Sequence, residues 1–212
     1  MIWLAGQPPK VDTPKKTSSW RTGEQASAHL EALCCVREFE KIVIWGRDPA
    51  KAVALAESFG NQSEALVLAR VSREEAVAGA DVICTTTAAD SPILFGSELV
   101  PGMHLNVVGS SIPTKTEVDS EAVRRSSYYV DYLDSNFAQA GELQQAIAQG
   151  IVTQAHVQAE IGEVLLGRHP GRGSDQEITL YRSLGVAAQD LSAAWFVYHQ
   201  ALEQGKGSTV TL

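Results

Sequence analysis

Apolar and polar positions alternate along this chain with two periods in turn, helical and strand-like, from residue 23 to the end. Ala26, Leu30, Leu33 and Cys34 recur at helical spacing, which predicts a helix over 23–37. Lys41–Trp45 (KIVIW) is a short, nearly continuous apolar run of the kind that forms a buried parallel strand. Asp48-Pro49 opens the next helix, running to about Ser58, with Asp as cap and Pro at the first helical position. Ala65–Val71 reads as a second strand, and Ser72–Glu75 as the capping-box start of a short helix to Ala80. Asp81–Thr85 and His104–Val108 read as further strands, Asp119–Ser126 as a helix and Tyr128–Asp131 as a fifth strand. From Gly185 to about Glu203 runs a long amphipathic helix whose apolar positions, Leu191, Ala194, Trp195 and Tyr198 among them, read as packing against the core.

Strands alternating with helices imply βαβ units, hence an α/β fold with a doubly wound parallel sheet of the Rossmann type and helices on both faces. The first 20 residues differ: three prolines, three lysines and few periodic apolar positions predict irregular chain over 1–21. The strand that should precede the first helix is central in such a sheet and normally apolar, yet KKTSSWR stands there, a costly polar replacement.

Composition narrows the picture. With 44% apolar and 20% charged residues, the 212-residue chain is an ordinary globular one, and a net charge of −8 disfavours a nucleic-acid surface. The odd set Cys34, Cys35 and Cys84 argues against a disulfide scaffold and for a reducing cytoplasm. No CxxC or HExxH spacing suggests a metal site, and neither a signal peptide nor an apolar run long enough to span a membrane is present.

Candidate chemistry gathers at strand ends. RTGEQA (Arg21–Ala26) stands where a strand-to-helix turn binds a pyrophosphate through backbone N–H groups; Gly23 alone remains of a GxGxxA-type pattern, so an ordinary helix start is the alternative. WGRD (Trp45–Asp48) stands where a doubly wound fold meets the adenosine ribose. Arg47 there favours NADP over NAD, unless Arg47 is merely solvated and Asp48 merely a cap. TTT (Thr85–Thr87) and VVGSS (Val107–Ser111) end strands at the same crevice, with Gly109 small enough to let a cofactor ring come close. His29, His104, Cys84, Arg168 and Arg172 read as structural, His156 and Glu160 as thin evidence for metal. Glu142 reads as a polar residue near the crevice or a helix-terminal carboxylate.

Taken in order, GEQASAHLEAL, IVIWGRD, GADVICTTT, PGMHLNVVGSS, TEVD, EIGEVLLGRHPGR and ITLYRSLGVAAQDL resemble the ornithine cyclodeaminase/mu-crystallin family from Thr22 onward. The resemblance implies homodimers with a Rossmann domain for NAD(P), here 22–182. It also implies a second domain for substrate and dimerisation, of which 183–212 would be the C-terminal helix and the rest largely missing. It implies Thr22, Gly23, Glu24 and Gln25 at the pyrophosphate, Arg47 at the adenosine ribose or its phosphate, and Thr85 and Thr86 on the adenosine side. Val108, Gly109 and Ser110 would lie near the nicotinamide, and Ser183, Leu184 and Gly185 would return to cover it. The implied activity is NADPH-dependent reduction of a small imino acid such as pyrroline-2-carboxylate. Alternatives are alanine dehydrogenase or ornithine cyclodeaminase activity, or a dinucleotide-binding protein without turnover. Two departures qualify this. Ser111 stands where ornithine-cyclising members carry a catalytic aspartate, which points to the reductase branch and leaves no catalytic residue assignable. The family's long N-terminal substrate region is also not recognisable before Thr22, so residues 1–21 read as a foreign segment joined to a family member.

Overall fold

The computed structural model describes residues 16–20, 23–208 and 210. In chain order they form β1 (Lys16–Trp20), α1 (Glu24–Val36), β2 (Lys41–Trp45), α2 (Pro49–Gly60), β3 (Leu66–Arg70), α3 (Arg73–Val77) and β4 (Val82–Thr85). Then come β5 (His104–Val107), α4 (Ser120–Arg125), β6 (Ser127–Val130), α5 (Leu133–Gln139), α6 (Gly141–Ala148), β7 (Val157–Glu160), α7 (Ile161–Leu165), β8 (Thr179–Arg182) and α8 (Ala187–Glu203). The eight strands make one sheet in the order β3-β2-β1-β4-β5-β8-β6-β7, every adjacent pair parallel. The chain winds outward from β1 to β3, crosses back to β4, and winds the other way. This is the doubly wound Rossmann-type arrangement, with its reversal between β1 and β4.

Burial explains the continuous apolar runs, because parallel strands are covered on both faces. In β4, Val82 and Cys84 join Leu30, Leu33, Ile42, Ile44 and Ala52 on the α1/α2 side, while Ile83 joins Leu105, Tyr128, Leu143 and Leu180 on the other. α1 buries Ala26, His29, Leu30 and Leu33, the face its spacing predicted.

The expectation of irregular chain through residue 21 is corrected at Lys16–Trp20, which fill the central slot of the sheet despite their polarity; residues 1–15 and 21 lie outside the described residues. Two flanking strands offer β1 a full set of backbone hydrogen bonds, Thr17 pairing Ile42 and Val82 and Ser19 pairing Ile44 and Cys84. That backbone pairing outweighs weak side-chain propensity. Ser18 turns to the opposite face and donates to the Ala76 carbonyl at 2.6 Å, and Lys16 Nζ donates to the Ala78 carbonyl just beyond the end of α3. The hydroxyls of Thr17 and Ser19, however, are buried without partners.

α8 corrects a second expectation. None of its residues is buried; Leu191, Trp195, Phe196, Tyr198 and Leu202 face solvent, with Trp195 64% exposed. Its apolar positions cover no core among the described residues.

Candidate dinucleotide site

Two hollows lie at the carboxyl ends of the strands, where the strand order reverses and open α/β sheets take their ligands. The larger, about 440 Å³, is lined by Trp45, Gly46, Arg47, Asp48 and Lys51 from the end of β2, and by Thr87–Ser91 and Ile93 beyond β4. The smaller, about 240 Å³, is lined by Gln25, Thr86, Val108, Gly109, Ser183, Leu184 and Gly185. Thr86 and Thr87, consecutive in the chain, put the two side by side.

At the larger hollow, Asp48 caps α2, its carboxylate accepting from the N–H groups of Ala50 at 3.0 Å and Lys51 at 3.4 Å. The cap half of the WGRD reading therefore holds for Asp48, and Arg47 lies exposed on the rim with Lys51. Gly23 is the N-cap of α1 with extended backbone, its carbonyl accepting from Ala26 N–H at 2.9 Å; Glu24 opens the first turn and Gln25 reaches the smaller hollow. Thr22, like Arg21, lies outside the described residues.

Behind the β4 and β5 ends sits Glu117, fully buried. Its carboxylate accepts from Thr85 Oγ1 at 2.8 Å, from Thr87 N–H and Thr87 Oγ1 at 2.6 Å each, and from Gly109 N–H at 2.7 Å. Burial pushes its pKa up, and these donors pull against that. Thr85 is thus turned inward and lines neither hollow. Gly109 has a tighter reason to be glycine than ring approach: a Cβ there would stand 2.0 Å from the Thr87 carbonyl and 2.5 Å from Glu117 Oε1. Ser110 adopts φ 58°, donates to the Ala89 carbonyl at 2.8 Å, and also stays off both hollows.

The walls of the smaller hollow are held from behind. Arg182, fully buried at the end of β8, donates from Nη1 to the carbonyls of Val107 at 3.1 Å and Gly109 at 2.8 Å, and from Nη2 to that of Ser110. Its Nε lies 2.7 Å from Glu142 Oε1, with the N–H not aligned on that oxygen, so the contact is a buried ion pair. Glu142 also accepts from the Tyr128 hydroxyl at 3.0 Å, and burial with this carboxylate pushes the phenol pKa far up. Asp131, at the end of β6, accepts from Leu184 and Gly185 N–H through Oδ2, at 2.7 Å each.

The remaining candidates are structural in place. His29 Nδ1 faces the Gln25 carbonyl at 2.7 Å and His156 Nε2 the Val123 carbonyl at 2.8 Å, while Glu160 accepts from Leu133 N–H. Among the described residues no group of three His, Cys, Asp or Glu could hold a metal. Burial raises the Cys84 thiol to about 12, which suits packing and not nucleophilic work. Arg172 ties the Met103 and Glu177 carbonyls to Thr179, while Arg168 pairs with Glu163 at the surface. Glu142 stands in the first turn of α6, as the helix-terminal reading has it; it lines neither hollow and is also the counter-ion of Arg182.

Three residues central to the arrangement, Glu117, Arg182 and Asp131, escaped sequence reasoning. Each stood in plain view as a charge at the end of or beside an apolar strand (TEVD, TLYR, YYVD), where a charge needs a buried partner.

Fold and site together define a protein built on the dinucleotide-binding α/β plan. The sequence profile of the ornithine cyclodeaminase/mu-crystallin family matches residues 21–205, and the chain belongs to that family. It is 34% identical over 190 residues to a Delta(1)-pyrroline-2-carboxylate reductase of Bacillus cereus, which covers 89% of this chain and 58% of that protein. The structure resembles the Delta(1)-pyrroline-2-carboxylate reductase of Thermococcus litoralis solved in complex with NADH and L-proline. That match has a TM-score of 0.90 and 31% identity, over 93% of this chain and 61% of the other. It also resembles an archaeal alanine dehydrogenase dimer with bound NAD, with a TM-score of 0.86 and 30% identity over 94% and 61% of the two chains. The chain therefore spans about three-fifths of the length of these relatives.

Proposed function

We propose that this chain binds a nicotinamide dinucleotide across the two hollows and carries the cofactor half of an imino-acid reductase. The observation that supports this most is convergence: Gln25, Thr86, Val108, Gly109, Ser183 and Gly185, far apart in sequence, line one hollow, with Arg47 on the rim of its neighbour. The adenosine end would occupy the Arg47 hollow and the nicotinamide the hollow at Gly109. Thr22, Gly23 and Glu24 are carried over as pyrophosphate contacts, with Thr85 and Ser110 supporting them from behind. An exposed Arg47 beside an Asp48 engaged as a helix cap favours NADP over NAD, since a guanidinium pairs with a 2′-phosphate. Bound there, the reduced nicotinamide supplies a hydride for the carbon of a C=N bond. The protein's part is to fix the ring's plane through the Val108–Gly109 and Ser183–Gly185 walls and to keep water away.

The substrate class we favour is a small cyclic imino acid such as pyrroline-2-carboxylate, given the relatives named above and Ser111 in the place of a cyclodeaminase aspartate. We assign α8 to a second domain that completes the substrate site and a homodimer interface, because its apolar side is exposed among the described residues. Three free thiols suit a cytoplasmic setting. One observation favours a second reading, binding without turnover: none of the described residues lining the smaller hollow has an ionisable side chain to give the imine nitrogen its proton.

The test combines NADPH, pyrroline-2-carboxylate and the purified chain, following nicotinamide absorbance, alongside calorimetric titration with NADPH and NADH. Oxidation of NADPH supports the reductase reading. NADPH binding without oxidation supports the second, and absence of binding by either dinucleotide removes both. Arg47→Ala is expected to weaken NADPH about tenfold and NADH little.

A further inference from the structure

We propose that Arg182 is a positioning residue for the nicotinamide end of the dinucleotide, setting the smaller hollow's width from behind, with Asp131 bracing the opposite wall. The proposal rests on the dinucleotide reading above. The two walls leave adjacent paired strands, Val108–Ser110 after β5 and Ser183–Gly185 after β8; the ladder between them ends with Ser183 N–H on the Val107 carbonyl at 3.0 Å, and beyond that bond the sheet no longer fixes their separation. Arg182 supplies the missing link on one side. Its planar guanidinium presents donors at fixed angles: two of its nitrogens take the carbonyls of Val107, Gly109 and Ser110 on one wall, and Nη1 also stands 3.5 Å from that of Ser183 on the other. A buried cation could not stay there uncompensated; Glu142, 2.7 Å from Nε and itself fully enclosed, balances it and is in turn held by Tyr128. On the other side both Oδ2 bonds of Asp131, at 2.7 Å, hold the N–H groups of Leu184 and Gly185, while Oδ1 is steadied by Asn136 Nδ2, also at 2.7 Å.

Neither Arg182 nor Asp131 lines the hollow, so any influence on a ligand passes through the backbone they hold. Neither hydrogen-bonds a residue of the Arg47 hollow. Arg182 reaches that hollow only at second hand, through Ser110, whose hydroxyl bonds the Ala89 carbonyl at 2.8 Å, so the first effect of both residues falls on the nicotinamide end, a bias that a merely structural role would not produce.

The experiment uses Arg182→Lys, which keeps the charge for Glu142 and loses the fork, and Asp131→Asn, which leaves one acceptor oxygen for two or more donors. Each is titrated with NADPH and with 2′-phospho-ADP-ribose, which lacks the nicotinamide ring, and the fluorescence of bound NADPH is recorded. Both variants should weaken NADPH about tenfold or more, leave 2′-phospho-ADP-ribose within about twofold, and move the bound emission toward that of free NADPH. Equal weakening of both ligands, or unchanged NADPH affinity and emission, overturns the proposal. Should Arg182→Lys fail to fold, Glu142→Gln, which frees the guanidinium from its anchor but leaves Tyr128 an acceptor, must show the same NADPH-selective loss. Failure of the unaltered protein to bind either ligand counts against the dinucleotide reading itself.

Discussion

Thr17→Val should make this protein more stable. Thr17 is 1% exposed in the central strand, its Oγ1 without a partner, between Ile42 and Val82 on a face that also holds Leu30 and Leu33. Burying a hydroxyl unpaired costs about 1–3 kcal/mol, and valine keeps the shape and β-branching while replacing the oxygen with a methyl group. A gain of about 1–2 kcal/mol follows, which for a domain of this size raises Tm by about 2–8 °C. Ser18→Ala is the matched control in the same strand. Its hydroxyl is equally buried but bonded to the Ala76 carbonyl at 2.6 Å, so its loss should cost about 1 kcal/mol. Urea unfolding at constant slope and thermal unfolding, run on both variants, should show shifts of opposite sign. If both substitutions destabilise, or Thr17→Val is neutral within error, β1 does not sit in the sheet as described.

Further outcomes follow from the same contacts. Gly109→Ala should prevent stable folding or cost about 3 kcal/mol, read by urea denaturation, because backbone and a buried carboxylate occupy the Cβ position. His104, its pKa lowered to about 4 chiefly by burial, is neutral in the native state, so the unfolded chain binds more protons between about pH 6.5 and pH 4. Stability should thus be full above that window and fall through it on acidification, by at most about 3 kcal/mol from this group, and His104→Gln should flatten the slope. Trp195→Glu, on a helix with no buried residue, should change Tm little while reducing self-association in sedimentation.

The sheet was legible in the sequence wherever its strands were apolar runs. β2 to β6 and the helices between them lie within a few residues of their expected bounds, because burial on both faces writes a continuous signal. β1 was not, since its place is set by two neighbouring ladders and not by its own KTSSW. β8 was missed because Thr179 and the terminal Arg182 leave it only two apolar residues, and α5, α6, α7 and β7 because their short amphipathic stretches carry no strong period. α8 was legible as a helix but misread as core packing: an apolar face announces a partner without saying whether the same chain provides it. At the site, glycine and hydroxyl positions could be carried over from the family likeness. The charges that hold them could not, since Glu117 meets Thr85 across 32 residues and Arg182 meets Gly109 across 73, contacts only the folded topology creates.

The central claim is that the carboxyl ends of β2, β4, β5 and β8 receive one dinucleotide. A crystal structure with NADPH tests it most directly. The account predicts the 2′-phosphate at Arg47, the pyrophosphate at the start of α1, and the nicotinamide between Gly109 and Ser183–Gly185. A dinucleotide bound elsewhere, or with its ring outside that hollow, would contradict it.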